Sequence, residues 1–131
     1  MPHFIIEYSA NLERAVNIKG LVTTIHRAAI ETEIFPLKGT RTRAARQDIY
    51  EIADGHVDNS FIHVCAKIGQ GRAVEIRQRA GEAIFGAVCD YLRPYFESNP
   101  LALSFEMQEI EPATSFKTNN LPQWIEGRQA K

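Results

Sequence analysis

A chain of 131 residues is about one domain's worth, long enough to bury a core without help from disulfides or metals. Apolar residues make up 44% and charged residues 24%, the mix of a globular protein rather than of a disordered or membrane one. The formal net charge of −1 argues against a nucleic-acid footprint, and no apolar run approaches the roughly 20 residues that span a bilayer.

The N-terminus lacks the basic segment and long apolar core of a secretory signal, so a cytoplasmic location is expected. Met1 is followed by Pro2, a small second residue, and trimming of the methionine would leave a free secondary amine at the start of the chain. Such an amine begins near pKa ~8, and modest desolvation or a nearby cation leaves it largely neutral at pH 7. The alternative is that Pro2 is simply a proline tolerated at a strand start.

Residues 2 to 8 alternate, with Phe4, Ile6 and Tyr8 on one face and His3, Ile5 and Glu7 on the other, which predicts a strand covered on both sides. Asn11 offers a helix cap, and from Leu12 the positions Val16, Ile18, Leu21, Val22, Ile25 and Ala29 recur at helical spacing, with a break expected near Asn17 to Gly20. The run from Ile34 to Gly39 reads as a loop, followed by an extended segment from about Thr40 to Ile52 and a turn at Asp54-Gly55.

The plan then repeats. Phe61 to Ile68 is β-rich, and Gly69-Gln70-Gly71 forms a tight exit before a long amphipathic helix. Val74, Gly81, Ile84, Phe85, Val88, Leu92 and Tyr95 form the apolar stripe of that helix, and Pro94 is expected to kink or end it. Leu101, Leu103, Phe105 and Met107 alternate with polar or small residues, which predicts a half-buried strand.

The order is therefore βαβ twice, an α/β (α+β) chain in a single domain over 1–131, with units at about 2–52 and 60–110 and a tail at 111–131. Each unit's strands should lie parallel through a right-handed crossover, giving a four-stranded sheet with two helices on one face. The opposite sheet face would then carry apolar side chains with nothing to cover them, so an oligomer is expected. The tail holds an apolar patch at Leu121, Trp124 and Ile125, which docks either on a neighbouring subunit or on its own domain. Cys65 and Cys89 lie in apolar periodic segments, where free buried thiols are expected rather than a bridge.

Arg41 and Arg43 share a strand face, and Arg72 falls where the glycine exit meets the second helix. A guanidinium beside free N–H groups at a helix start makes a carboxylate or phosphate clamp, although any one arginine can equally be a solvated surface residue. Gly69-Gln70-Gly71 is not a dinucleotide fingerprint, because Val74 stands where the third glycine is needed. His3, His26, His56 and His63 have no metal-ligand spacing, so no metal is assigned; His3 is singled out only because it follows Pro2.

Taken together, Pro2-His3-Phe4-Ile5, Ile34-Phe35-Pro36-Leu37, Ala53-Asp54-Gly55, Lys67-Ile68-Gly69-Gln70-Gly71-Arg72 and Leu101-Ala102-Leu103-Ser104-Phe105-Glu106 resemble the 5-carboxymethyl-2-hydroxymuconate Δ-isomerase family of the tautomerase superfamily. Gln78, Ala80-Gly81-Glu82, Phe116-Lys117 and Asn119-Asn120 extend the resemblance over nearly the whole chain. It implies a tautomerase/MIF-like fold resembling a fused pair of 4-oxalocrotonate tautomerase subunits, assembled as a homotrimer. It also implies that Pro2 is the catalytic base and that Arg41 and Arg72 bind and polarise a small polycarboxylate, with no counterpart role for Arg43.

Phe61 opens the second unit without a proline, so one centre per chain is implied. The expected activity is cofactor-independent conversion of 5-carboxymethyl-2-hydroxymuconate to its unsaturated ketone in aromatic (homoprotocatechuate) catabolism. Two alternatives stand beside it: a tautomerase of another 2-hydroxy or 2-oxo acid, and a non-catalytic carboxylate-binding module.

Overall fold

The computed structural model describes residues 1–129; residues 130 and 131 of the predicted tail lie outside them. The chain runs β1 (His3–Ser9), α1 (Ile18–Glu31), β2 (Arg41–Gln47), β3 (Ser60–Gly69), α2 (Val74–Ser98), β4 (Leu101–Ile110) and α3 (Leu121–Gln129). The strands form one sheet in the order β2-β1-β3-β4. As the repeat predicted, β1 pairs parallel with β2 and β3 with β4, while β1 and β3 join the two units antiparallel.

One sheet face is the core. Phe4, Ile6 and Tyr8 of β1 and Ile62, Val64, Ala66 and Ile68 of β3 are buried against Leu21, Ile25 and Ala29 of α1 and Ala80, Ile84, Val88 and Leu92 of α2. The period of 2 on the strands and of about 3.6 on the helices brings these positions to one layer. The predicted stripe on α2 holds at Ile84, Val88 and Leu92, but Val74 is exposed and Ala80 takes an inner place. Val74 opens the helix, where the first turn runs out past the sheet.

The opposite face differs from expectation. Register places His3, Arg41, Lys67 and Gln108 in one row, Ile5, Arg43, Cys65 and Glu106 in the next, and Glu7, Ala45, His63 and Ser104 in a third. It is thus mainly polar and charged rather than apolar, and β1 is covered on one face only within this chain. His63 Nδ1 contacts Ser104 Oγ at 2.6 Å and its Nε2 contacts Glu106 at 3.0 Å, so polar groups there satisfy one another.

Several local readings are corrected by the structure. Asn11 does not cap a helix; it bonds the Asn59 carbonyl at 2.8 Å, and Asn17 is the cap of α1, its side chain accepting from the Gly20 N–H at 3.0 Å. A single 3-10 turn over Ala10–Arg14 fills the gap between β1 and α1. The extended segment after Thr40 stops at Gln47, where β1 runs out of partners, and an Asx-type loop with a turn at Gly55 (φ 82°) follows. Of the two outcomes expected at Pro94, an end to the helix does not occur: α2 continues to Ser98, because Pro94 lies on the exposed side, where water can serve the carbonyl that loses its N–H partner.

Cys65 and Cys89 are free and half-buried, and desolvation beside Glu106 pushes the Cys65 thiol pKa up. No helix among the described residues is long and apolar enough to cross a membrane.

Candidate active site

Sheet register determines where the chain's start lies. His3 pairs with Arg41 on one side and Lys67 on the other, and Gly69 pairs with Ile110, so one end of the sheet gathers the beginnings of β1 and β2 and the ends of β3 and β4. Pro2 is buried there, and its carbonyl accepts from the Arg41 N–H at 3.1 Å. That bond ties the first residues to the strand carrying the first arginine.

The Ile34–Gly39 segment supports the same end. Pro36 carbonyl accepts from the N–H groups of Gly39 and Thr40 and from Thr40 Oγ1, the last at 2.7 Å, so the turn into Arg41 is held by backbone and hydroxyl together. Phe35 packs edge-on against Phe4 with ring centroids 5.4 Å apart. The Arg72 guanidinium lies 5.4 Å from the Phe35 ring centroid and donates to the Ile34 carbonyl at 2.6 Å. Gly71 precedes it at φ 117°, a conformation that glycine adopts and other residues rarely do, and this aims Arg72 back at the loop.

A cleft of about 490 Å³ opens at this end, lined by Met1, His3, Arg41, Gly69, Gln70 and Ile110 on the sheet side and by Pro112 and Ser115 to Lys117 on the tail side. This size lies within the roughly 300–1,000 Å³ of small-molecule sites. Arg41 Nε is buried and has no hydrogen-bond partner, the one such side-chain nitrogen or oxygen among the described residues. A charged donor is rarely left so unless a ligand, an ion or a water supplies the acceptor.

The electrostatics follow from this crowd of cations. The terminal amine, here that of Met1, is held below its ordinary pKa of 8.0, first by desolvation and then by Lys117, Arg41 and Arg72. In this chain Pro2 nitrogen is in the amide to Met1, so it becomes basic only when Met1 is cleaved. His3 is also held below its usual range by burial and by Arg41 and Arg43. Arg43 Nη1 lies 3.1 Å from His3 Nδ1; a guanidinium only donates, so Nδ1 is the bare acceptor nitrogen and the ring is neutral.

The structure thus brings Pro2, His3 and Arg41 to one wall and sets Arg72 just behind it, close enough to act on the amine by charge. Arg43 reaches the site only through His3. Lys117 is the residue to which sequence reasoning assigned no role. A lone lysine in a polar tail carries no local signal, and only the return of the tail over the sheet end reveals it. Among the described residues no group of three His, Cys, Asp or Glu side chains is placed to hold a metal ion.

Two βαβ units joined in one sheet define an α+β fold that this chain shares with, among others, a macrophage migration inhibitory factor-like protein from Entamoeba histolytica, at TM-score 0.61 and 14% identity, a likeness of fold alone. A family model described as 5-carboxymethyl-2-hydroxymuconate isomerase matches residues 2–125, and the chain belongs to that family. The chain is 41% identical over 121 residues to the 5-carboxymethyl-2-hydroxymuconate Delta-isomerase of Escherichia coli, covering 92% of this chain and 96% of that one.

Two solved isomerases of the same description superpose closely. One has TM-score 0.88 at 28% identity, covering 95% of this chain and 93% of its own. The other, from Deinococcus radiodurans R1, has TM-score 0.87 at 32% identity with the same coverage of 95% and 93%. The chain is accordingly an isomerase by class.

Proposed function

We propose that this isomerase converts 5-carboxymethyl-2-hydroxymuconate to its unsaturated ketone without a cofactor, using the Pro2 amine as general base after removal of Met1. The observation that carries this reading is the placement of the chain's start, where the Met1 amine has its pKa lowered, beside Arg41, whose Nε is buried without a hydrogen-bond partner.

An α-amino group of ordinary pKa ~8 is only about one-tenth neutral at pH 7, so depression by desolvation and by the neighbouring cations raises the fraction that acts as base. Neutral Pro2 takes the proton from the 2-hydroxyl, leaving a dienolate. The protonated amine then returns a proton to a carbon further along the chain, and the enol oxygen becomes the ketone. Arg41 and Arg72 stabilise the negative charge while it is spread over the dienolate, where fixed charges out of water act strongly. A positioned acid–base group of this kind contributes about 10²–10⁴ in rate.

We place the enzyme in cytoplasmic breakdown of aromatic acids and infer a homotrimer. Support for the assembly comes from the sheet's uncovered face, its two open edges β2 and β4, and the description of fused proteins of the same fold as symmetric trimers. Light scattering on the purified protein tests it, and a monomer would refute it.

The catalytic reading is tested by intact mass together with the ketonisation rate. A chain lacking Met1 whose turnover vanishes on blocking Pro2 fits the proposal. A chain lacking Met1 that does not turn over 5-carboxymethyl-2-hydroxymuconate overturns it and leaves another 2-hydroxy acid or carboxylate binding as the function.

A further inference from the structure

We propose that Lys117, delivered by the tail after β4, is a substrate-binding residue that takes the carboxymethyl carboxylate and makes the enzyme prefer a tricarboxylate to a dicarboxylate. This rests on the isomerase reading above and adds to it the residue that reads the substrate's third charge.

Three observations carry it. The first is that the tail is fastened across the sheet end. Beyond Lys117, Asn119 Nδ2 donates to the Lys38 carbonyl at 3.2 Å, and Asn119 Oδ1 accepts from the Leu121 N–H at 3.0 Å, opening α3. Lys38 Nζ in turn pairs with Glu126 of α3 at 2.7 Å. Both anchors grip the loop that leads into Arg41, so the tail segment carrying Lys117 is held opposite the strand carrying Arg41.

The second observation is the lack of counter-charge. Lys117 enters no ion pair among the described residues, whereas Lys38, three residues from Arg41, has its glutamate. No Asp or Glu lines the cleft. Placing Lys117, Arg41 and the terminal amine together without an acid is unfavourable in the empty protein, and an anionic ligand relieves it.

The third is the division of labour among cations. Arg72 already spends one nitrogen on the Ile34 carbonyl and its face on Phe35, so it is committed to the wall behind Pro2. Arg41 lies on the strand bonded to Pro2. Lys117 alone comes from the tail wall, across the cleft from the sheet wall that carries Arg41 and the terminal amine, and its ammonium is a point charge on a flexible stem that answers to the presence of a carboxylate rather than to its orientation. Arg41 and Lys117 thus line the cleft, each placed to meet a substrate carboxylate, while Arg72 acts by charge from behind the wall.

The test compares kcat/KM for 5-carboxymethyl-2-hydroxymuconate and for 2-hydroxymuconate, which lacks the carboxymethyl arm, in wild type, Lys117→Met and Lys117→Arg. Loss of Lys117 acts on the amine in both reactions equally, so the ratio of the two rates isolates the arm. Wild type should prefer the tricarboxylate, Lys117→Met should shrink that preference about 10- to 100-fold, the value of one charged hydrogen bond, and Lys117→Arg should restore most of it. An unchanged ratio in Lys117→Met, or no preference in wild type, overturns the proposal; melting curves exclude misfolding as the cause.

If wild type turns over neither compound, the isomerase reading has failed, and calorimetry then decides Lys117 by itself. Tricarballylate should bind more tightly than glutarate, with the difference lost in Lys117→Met. An undiminished difference refutes the role of Lys117.

Discussion

Arg41→Met separates binding chemistry from stability. The Arg41 guanidinium has its Nε buried and unpartnered, and a buried polar group left unmade costs about 1–3 kcal/mol. Methionine keeps much of the stem's volume and brings no donor, so folding loses no hydrogen bond from Nε and sheds an unsatisfied charge. The backbone bond from Arg41 N–H to the Pro2 carbonyl is untouched.

The expected unfolding free energy is unchanged or higher by up to about 2 kcal/mol, with roughly 3–5 °C in Tm for each kcal/mol in a chain of this size. Turnover should move the other way, since removing one preorganised donor to developing negative charge lowers kcat by about 10²–10³. Arg41 helps hold the Met1 amine and His3 below their usual pKa, and loss of the same cation beside the Pro2 amine of the trimmed chain should move the acid limb of the kcat/KM profile to higher pH. The assay is urea unfolding and steady-state ketonisation on the same preparation. A variant that loses stability while keeping wild-type turnover would show that Arg41 is structural and refute the reasoning.

Gly71→Ala should cost about 1–3 kcal/mol from backbone strain alone, since φ is 117° and nothing crowds a Cβ there. Displacement of the adjacent Arg72 should cut kcat/KM as well, and kinetics that stay normal would detach Arg72 from the site. Gly20→Ala drives its methyl into the Tyr91 hydroxyl, which otherwise donates to the Asn17 carbonyl at 2.8 Å. The single variant should therefore lose about 1 kcal/mol, while in a Tyr91→Phe background the same change should recover helix propensity worth up to about 1 kcal/mol; a double-mutant cycle by urea melts that shows no coupling would sink this account.

Glu13 is held below its ordinary pKa of 4.5, first by the Tyr8 hydroxyl at 2.6 Å and then by Arg46 at 3.0 Å. A carboxylate depressed in the folded state stabilises above its unfolded pKa and loses that contribution as pH falls through its folded one. Glu13→Gln should thus flatten the stability curve below about pH 4.5, read by thermal melts across pH, and an unchanged slope would place the acid sensitivity elsewhere.

The order of the four strands and the two core helices and the parallel pairing inside each unit were legible along the chain, whereas Pro2, Arg41 and Arg72 were singled out by the family resemblance. Period-2 alternation at Phe4-Ile6-Tyr8 and helical spacing at Ile84-Val88-Leu92 are local signals of which face must leave water. The open sheet face was misjudged because its character comes from residues of all four strands set side by side, where His3, Arg41 and Lys67 meet only through pairing register.

The sequence by itself determined the elements, the buried faces and the unusual start of the chain, because propensity, periodicity and the chemistry of a terminal proline are properties of neighbouring residues. Only the tertiary structure decided that Arg41 Nε is buried without a partner, that Arg43 serves His3, and that Lys117 returns to the cleft. These depend on residues 40 to 114 positions apart being brought within reach of one charge, and the electrostatic energy of a site is set by distance and burial in space rather than by order along the chain.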